Sequence, residues 1–276
     1  MTWKSFFARD QVVTSISRAT GTKGGGAFTG ALFFLAGINK SMKHIKSHRV
    51  FESEEIDLSS LKLSERRVLA NSGKTSPSVL SQLSSDRDER VRMAVASNSN
   101  TPTEDLTRLF KNEPNSSFVH IIAANPNVDP SILVRIANHP DFSKGEGWTI
   151  SSIAKNPACP VDLLEQLAGH PIFRVRSGVA SNPNTPHHVL RQLADDQHYD
   201  VVTSLSINPE LTDAVLRDLA EHEYWEIRRN VALHNNTPTT VLFRLSQDEE
   251  RNIREIAKSS LRNRDVTGDL FDEAGW

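Results

Sequence analysis

The sequence contains very little cysteine and few aromatic residues. Cys159 is the only cysteine, which excludes a disulfide framework and any metal site built from four cysteines of this chain. Only 7% of the residues are aromatic, which is sparse for a β-sandwich and usual for a helical solenoid. With 24% charged residues and a formal net charge of −2, the composition is that of a soluble, folded protein. A reducing, cytoplasmic setting fits these values.

Acidic residues are almost missing from the first 50 positions. This segment holds eight Lys or Arg and a single acid, Asp10, for a net charge of +7, whereas the rest of the chain carries −9. The asymmetry indicates different partners for the two parts. We predict a basic N-terminal region over 1–55 that is rich in glycine and apolar residues, a repeat domain over 56–262, and a flexible acidic and aromatic tail over 263–276.

The N-terminal region lacks an apolar run long enough to span a membrane. Its uncharged stretch, GGGAFTGALFFLAGIN, has 16 residues, and a span needs about 20. A signal peptide fits poorly because the run starts late and no clear cleavage site follows it. The glycines do not form a phosphate loop, because Ala27 and Phe28 stand where lysine and serine or threonine are needed.

Two interpretations of this region stay open. In the first, the apolar segment Ala27–Ile38 covers the open end of the first repeat. In the second, residues 24–49 attach the chain to a partner groove or to the surface of an anionic membrane. The candidates for attachment are Phe33, Phe34, Leu35, Lys40, Lys43, Lys46 and Arg49.

A repeated pair of apolar residues dominates the rest of the chain. The first residue of each pair recurs in steps of 26, 27, 31, 26, 26 and 26 residues, and Leu or Ile follows three positions later. The pairs are Leu80/Leu83, Leu106/Leu109, Leu133/Ile136, Leu164/Leu167, Leu190/Leu193, Leu216/Leu219 and Leu242/Leu245. A fixed period of this length is typical of a solenoid. We therefore predict an all-α fold, a right-handed α-solenoid of about seven repeats of 26 residues.

Each repeat carries signals for two helices. A short oxygen-bearing side chain followed by proline predicts the N-cap of the helix that contains the apolar pair. These predicted caps are Ser76, Thr101, Asp129, Thr185 and Thr237. Glu104 would complete a capping box with Thr101. The second helix is predicted to be capped by an aspartate (Asp86, Asp196 or Asp248) and to end at an asparagine, which often precedes proline.

The repeat VAxNPxTPxxLLxxLAxDxxxxVR resembles the leucine-rich repeat variant family. Residues 179–196 match it closely, as does the Val175-Arg176 pair, and the resemblance covers about 70–260. It implies a HEAT-like superhelix of alternating α and 3₁₀ helices without a sheet. The iron–sulfur region of a founding family member is not carried over, because its cysteines are missing here. No cofactor is therefore expected, and a repeat family of this kind determines architecture more than activity.

Departures from the repeat supply the candidate binding residues. The step of 31 marks an inserted segment over 137–148, which predicts a protruding loop. In the alternative, Trp148 folds back into the core at the start of the next helix. A column of arginines would face a partner or would pair with acids of neighbouring repeats. The candidates for partner contact are Phe142, Trp148, Arg92, Arg176, Arg228 and Trp225.

The histidines and the cysteine predict neither a metal site nor a reactive thiol. Adjacent repeats stack roughly 10 Å apart, as packed helices do, whereas zinc holds its ligands within about 2.3 Å. We predict a non-enzymatic cytoplasmic scaffold that binds a protein partner through its solenoid surface. Two alternatives stay open. One is a nucleic-acid-binding solenoid, including an enzyme like the HEAT-like DNA glycosylases, which the acidic repeat region disfavours. The other is a membrane-surface adaptor that acts through the N-terminal region.

Overall fold

The computed structural model describes residues 57–113, 116–140 and 147–264. Within these ranges a short 3₁₀ helix, Leu58–Ser60, precedes fifteen α-helices, and no strand is present. The helices are α1 Leu63–Asn71, α2 Pro77–Leu83, α3 Glu89–Ser97, α4 Thr103–Asn112, α5 Ser116–Ala124, α6 Pro130–Ala137, α7 Trp148–Lys155, α8 Val161–Ala168, α9 Phe173–Ser181, α10 His187–Leu193, α11 Tyr199–Ser206, α12 Asp213–Leu219, α13 Trp225–Leu233, α14 Thr239–Leu245 and α15 Arg251–Arg262.

The helices alternate between two layers. Each odd-numbered helix packs on the next odd-numbered helix along the chain, and the short even-numbered helices pack against the odd-numbered helices that flank them. Contacts are therefore made within a repeat and with the adjacent repeat, which is the arrangement of a solenoid. The predicted all-α solenoid is confirmed for the described residues, and its right-handed sense stays a prediction.

The seven apolar pairs form the core, as the sequence predicts. All of their side chains are at most 4% exposed. They meet apolar residues from the first turn of the odd-numbered helices, such as Val91, Val175 and Ile227, which are also fully buried. Because each repeat contributes the same positions, the apolar core continues from one repeat to the next.

Both helices of a repeat are α-helices, which differs from the alternation of α and 3₁₀ helices that the family resemblance implies. In α10 the N–H of Leu190 donates to the carbonyl of Pro186 at 3.0 Å, which is the α pattern. Bonds of the 3₁₀ type occur at the helix ends, from the N–H of Val189 to the carbonyl of Pro186 at 3.0 Å and from the N–H of Asp196 to the carbonyl of Leu193 at 3.2 Å. Seven residues suffice for nearly two α-helical turns at 3.6 residues per turn, so the tighter geometry stays at the helix end.

The threonines before proline do not cap the helix that follows them. Thr101, Thr185 and Thr237 are buried, and the Oγ1 of each donates to the carbonyl of a valine six residues earlier at 2.5 to 2.6 Å. The predicted capping box of Thr101 and Glu104 is therefore wrong, because the hydroxyl of Thr101 donates to the carbonyl of Val95 in the preceding helix, which also accepts the N–H of Asn98. Ser76 and Asp129 do cap α2 and α6, as predicted.

Buried asparagines after the odd-numbered helices join successive repeats. Asn125 Nδ2 donates to the carbonyls of Ala96 and Asn98 in the preceding repeat at 2.8 and 2.9 Å. Equivalent pairs of bonds are made by Asn98, Asn156, Asn182 and Asn208. The asparagines thus end the helices, as predicted, and they also satisfy carbonyls that a helix end leaves without a partner.

Candidate partner-binding surface

Three of the predicted contact residues, Arg92, Arg176 and Arg228, form ion pairs between repeats. Nε and Nη2 of Arg176 donate to the carboxylate of Asp196 at 2.6 and 3.0 Å. The same two nitrogens of Arg228 donate to Asp248 at 2.8 and 3.1 Å. Nε of Arg92 donates to Glu113 at 2.8 Å. In each pair the carboxylate belongs to the next repeat, which is the second of the two roles that the sequence left open. Partner contact by these arginines stays a prediction.

The aspartates of these pairs organise the turn before the next odd-numbered helix. Asp196 accepts the N–H of His198 at 2.9 Å, and Asp248 accepts the N–H of Glu250 at the same distance. Burial by itself raises the pKa of Asp196, but hydrogen bonds from Arg176 and from the backbone of His198 outweigh burial and lower it. These aspartates are therefore not the predicted N-caps, because the N-cap positions of α11 and α15 lie two residues later, at His198 and Glu250.

Histidine replaces aspartate where the arginine column is interrupted. Val202 takes the arginine position in α11, and His222 takes the aspartate position one repeat later. Ser151 and His170 form the second such combination. The Nδ1 of each histidine accepts a backbone N–H two residues on, at 3.2 Å for His222 and 3.1 Å for His170. Burial is the main cause that lowers the pKa of both histidines.

Aromatic residues begin four consecutive odd-numbered helices. Trp148, Phe173, Tyr199 and Trp225 are the first residues of α7, α9, α11 and α13, and we call them the aromatic row. Trp148, Tyr199 and Trp225 expose 57%, 37% and 45% of their surface, and Phe173 is half-buried. Two predicted contact residues, Trp148 and Trp225, thus lie in one row. Phe142 lies outside the described residues.

Neighbouring side chains support the rings of the aromatic row. The guanidinium carbon of Arg174 lies 4.4 Å from the ring centre of Trp148 and 5.2 Å from that of Phe173. Phe173 also stacks on His198, with ring centres 3.7 Å apart and planes inclined by 5°. Tyr199 meets Tyr224 edge-on at 4.9 Å. These contacts restrict the rotamers of Trp148, Phe173 and Tyr199, so this part of the row is ordered before any partner arrives.

Gly147 directs the chain from the inserted segment into α7. Its φ of 73° lies in the left-handed region that favours glycine. The space around it is closed, because a Cβ would lie 3.1 Å from the side chain of Ile172 and 3.2 Å from that of Val175. Trp148 therefore begins a helix, as one interpretation predicted, but its ring lies at the surface on Arg174 and not in the core.

The opposite ends of the odd-numbered helices carry a shallow apolar cavity. Between the C-terminal ends of α11 and α13 lies a space of about 370 Å³, which Ile207, Leu233 and His234 help to line. Ile207 and Leu233 are exposed. The lining contains no carboxylate, cysteine or lysine, and both ring nitrogens of His234 already bond to the backbone, at 2.8 Å to the carbonyl of Asn208 and 3.1 Å to the N–H of Asn236.

Groups suited to chemistry are scarce among the described residues. Cys159 is buried, and burial raises the pKa of its thiol to about 12, which suits a structural thiol. No three His, Cys, Asp or Glu side chains within the described ranges gather closely enough to hold a metal ion. No helix of the described part is long and apolar enough to cross a membrane.

One comparison with known proteins matches a single repeat of the chain. The model of the family described as "Leucine rich repeat variant" matches residues 173–198, which contain α9 and α10. A search of curated proteins gave no match. One similar solved structure is described as a leucine-rich repeat variant with a novel repetitive protein structural motif. It is 20% identical, the match covers 74% of this chain and 78% of that chain, and the TM-score is 0.45. The resemblance to the leucine-rich repeat variant family is therefore confirmed, with residues 173–198 as the repeat that matches the family model.

Proposed function

We propose that the chain is a non-enzymatic scaffold that binds a protein partner through the aromatic row. The observation that carries the proposal is that four consecutive repeats begin an odd-numbered helix with an aromatic residue, and three of these side chains, Trp148, Tyr199 and Trp225, are exposed. A single exposed apolar residue needs no explanation, but a contiguous set of them marks a binding surface. Tryptophan and tyrosine are also enriched among the residues that dominate interface energies.

The solenoid does not depend on these rings for its own packing. The core is made by the seven apolar pairs and by the first-turn residues of the odd-numbered helices. Trp148, Tyr199 and Trp225 lie outside that core and leave much of their surface to solvent. Their exposure therefore favours a role in binding over a role in folding.

The charges of the repeat region favour a protein over a nucleic acid. Binding to a phosphate backbone needs available lysine or arginine side chains. Arg176 and Arg228 already donate to carboxylates of the next repeat. Exposed carboxylates such as Asp200 and Glu223 adjoin the aromatic row and would repel phosphate.

The test replaces Trp148, Tyr199 and Trp225 together by alanine and measures capture of proteins from the native host. Each captured protein is then purified and titrated against the variant by calorimetry. The matched control replaces Ile207 and Leu233 by alanine, because both are exposed apolar residues at the other end of the odd-numbered helices. We expect the triple variant to lose binding by at least about tenfold, or 1.4 kcal/mol, while the control binds normally. Binding of every captured protein by the triple variant at wild-type affinity would contradict the proposal.

A further inference from the structure

We infer that the section of the aromatic row on α11 and α13 binds an arginine or lysine side chain from an extended segment of the partner. This inference rests on the proposed function and adds the chemistry of the partner. We use the word step for the space between two neighbouring members of the aromatic row. The inference concerns the step between Tyr199 and Trp225, which are both exposed and belong to neighbouring repeats.

The molecule itself contains a filled example of such a step. Between Trp148 and Phe173, the guanidinium of Arg174 lies over both rings at 4.4 and 5.2 Å. Aromatic faces attract cations because the ring quadrupole is negative on its face, and arginine also stacks on the ring plane. The first step of the row is therefore occupied by a cation from the chain.

The position that Arg174 occupies in α9 carries a negative charge in α11 and α13. Arg174 is the second residue of α9, and the second residues of α11 and α13 are Asp200 and Glu226. The step from Tyr199 to Trp225 thus combines exposed aromatic residues with a carboxylate where the earlier step has a guanidinium. Glu226 forms no ion pair with any of the described residues.

Most other charged groups near this step are acidic or already paired; the exceptions are Arg229, one helical turn after Glu226, and Arg251, the exposed first residue of α15. Glu223 is exposed, and the side chain of Glu249 is 81% exposed. Arg228 is nearly buried and donates to both Asp248 and Glu249. The nearby ring of His222 stacks on Tyr224 at 5.4 Å, and burial lowers its pKa, so it adds no positive charge at neutral pH. Aromatic faces bordered by carboxylates are complementary to a cation.

The repeat spacing indicates an extended partner segment. Neighbouring repeats stack roughly 10 Å apart, and an extended chain covers about 3.3 Å per residue. A basic residue therefore reaches one step of the row about every three residues. Asp200 and Glu226 lie at successive steps, so a segment with basic residues at this spacing would meet both carboxylates.

The direct test uses a nonapeptide with arginine at positions 1, 4 and 7 between glycine and serine. Its partner probe carries citrulline at the same positions, because citrulline keeps the shape of arginine and lacks its charge. Each peptide is titrated to millimolar concentration into the full chain, and the indole N–H signals of Trp225 and Trp148 are followed by NMR. We expect the arginine peptide to shift the Trp225 signal, with an affinity at least about fivefold above that of the citrulline peptide. Trp148 serves as the internal control, because Arg174 already covers its ring.

A variant tests the same inference from the side of the protein. Glu226→Arg places a guanidinium where α9 has Arg174, and we expect it to abolish the response of Trp225 to the arginine peptide. Glu226→Gln should weaken that response without abolishing it. Equal binding of the arginine and citrulline peptides, or no shift of Trp225 at millimolar peptide, would overturn the inference.

Binding of the captured partner to two variants distinguishes a failure of this inference from a failure of the proposed function. If that protein loses binding to the triple alanine variant but binds Glu226→Arg at wild-type affinity, the aromatic row is the interface and the basic-residue inference is wrong. If it binds both variants normally, the proposed function fails as well.

Discussion

Gly178 shows how a single residue determines the distance between two helices. A Cβ at this position would lie 2.9 Å from the Cβ of Ala154 and 2.9 Å from the backbone oxygen of Ser151. Both atoms belong to α7, so neither can move away independently of the helix. The glycine in α9 is therefore explained by close packing on α7, although glycine weakens a helix when considered alone.

We expect Gly178→Ala to destabilise the protein. Alanine normally gains about 0.5–1 kcal/mol over glycine inside a helix, but forcing a group into a packed contact costs typically about 1–3 kcal/mol. The free energy of unfolding, measured in urea, should therefore fall. Gly169→Ala is the control, because no atom lies within 4 Å of the Cβ it would add. A Gly178→Ala protein that is as stable as the wild type would show that α7 and α9 are not packed this closely.

At the scale of helices and turns, two kinds of contact join the repeats. The buried asparagines, such as Asn125, Asn182 and Asn208, connect the C-terminal ends of successive odd-numbered helices. Ion pairs such as Arg176–Asp196 connect the N-terminal turns. Where valine replaces the arginine, at Val202, histidine replaces the aspartate of the following repeat, at His222. Because the two replacements occur together, we infer that the two positions are neighbours in space.

This coupling can be tested by installing the missing ion pair. Val202→Arg alone should destabilise the protein, because Val202 is buried and no carboxylate occupies position 222. Adding His222→Asp should recover stability, with a favourable coupling of about 0.5–3 kcal/mol in a double-mutant cycle. The measurement is urea unfolding of the four proteins. Strictly additive changes would contradict the assignment of positions 202 and 222 as partners.

Stability should fall with decreasing pH in two stages. The folded-state pKa values of His170 and His222 lie below their ordinary value of 6.5, so the unfolded chain binds protons more readily and stability falls as the pH drops below about 6.5. The folded-state pKa values of Asp196 and Asp248 lie below 3.8, so their stabilisation is present above that pH and is lost as the pH falls further. Urea midpoints between pH 8 and pH 3 measure both stages.

A double variant isolates the first stage of this pH dependence. His170→Asn with His222→Asn keeps a side-chain acceptor for the backbone N–H and removes the titrating rings. We expect the double variant to lose most of the decrease near pH 6.5 and to keep the decrease below 3.8. An unchanged decrease near pH 6.5 would assign it to other groups.

At the scale of the whole molecule, the repeats form a continuous core and display the aromatic row along four of them. The solenoid provides a fixed spacing for groups that are far apart in sequence. The predicted attachment residues, from Phe33 to Arg49, lie outside the described residues. Their role therefore stays a prediction with two separable mechanisms.

Deletion of residues 1–50 distinguishes those mechanisms. Electrostatic attachment to an anionic membrane contributes about 1 kcal/mol per basic residue and weakens with salt, whereas capping of the first repeat is an apolar contact that salt leaves nearly unchanged. The measurements are the melting temperature and co-sedimentation with anionic liposomes at low and high salt. Salt-sensitive sedimentation of the intact chain, lost on deletion while the solenoid still melts normally, would support attachment. A large drop in melting temperature without liposome binding would support the cap instead.

The sequence by itself determined the repeat, its two helices and its buried positions, because apolar spacing and proline act locally and recur in every unit. Only the tertiary structure decided the roles of polar residues that could bond in more than one direction. Thr101 was predicted as an N-cap and instead bonds the preceding helix, and Asn125 serves the neighbouring repeat as well as its own turn. The candidate site was likewise identified partly from the sequence and partly from the tertiary structure. Trp148 and Trp225 were identified separately as candidates, whereas Phe173 and Tyr199 joined them only through stacking, which places residues 25 or 26 positions apart in one row. A pattern within one repeat specifies the helix, but the partner of a polar or aromatic side chain on the next repeat depends on how the repeats stack.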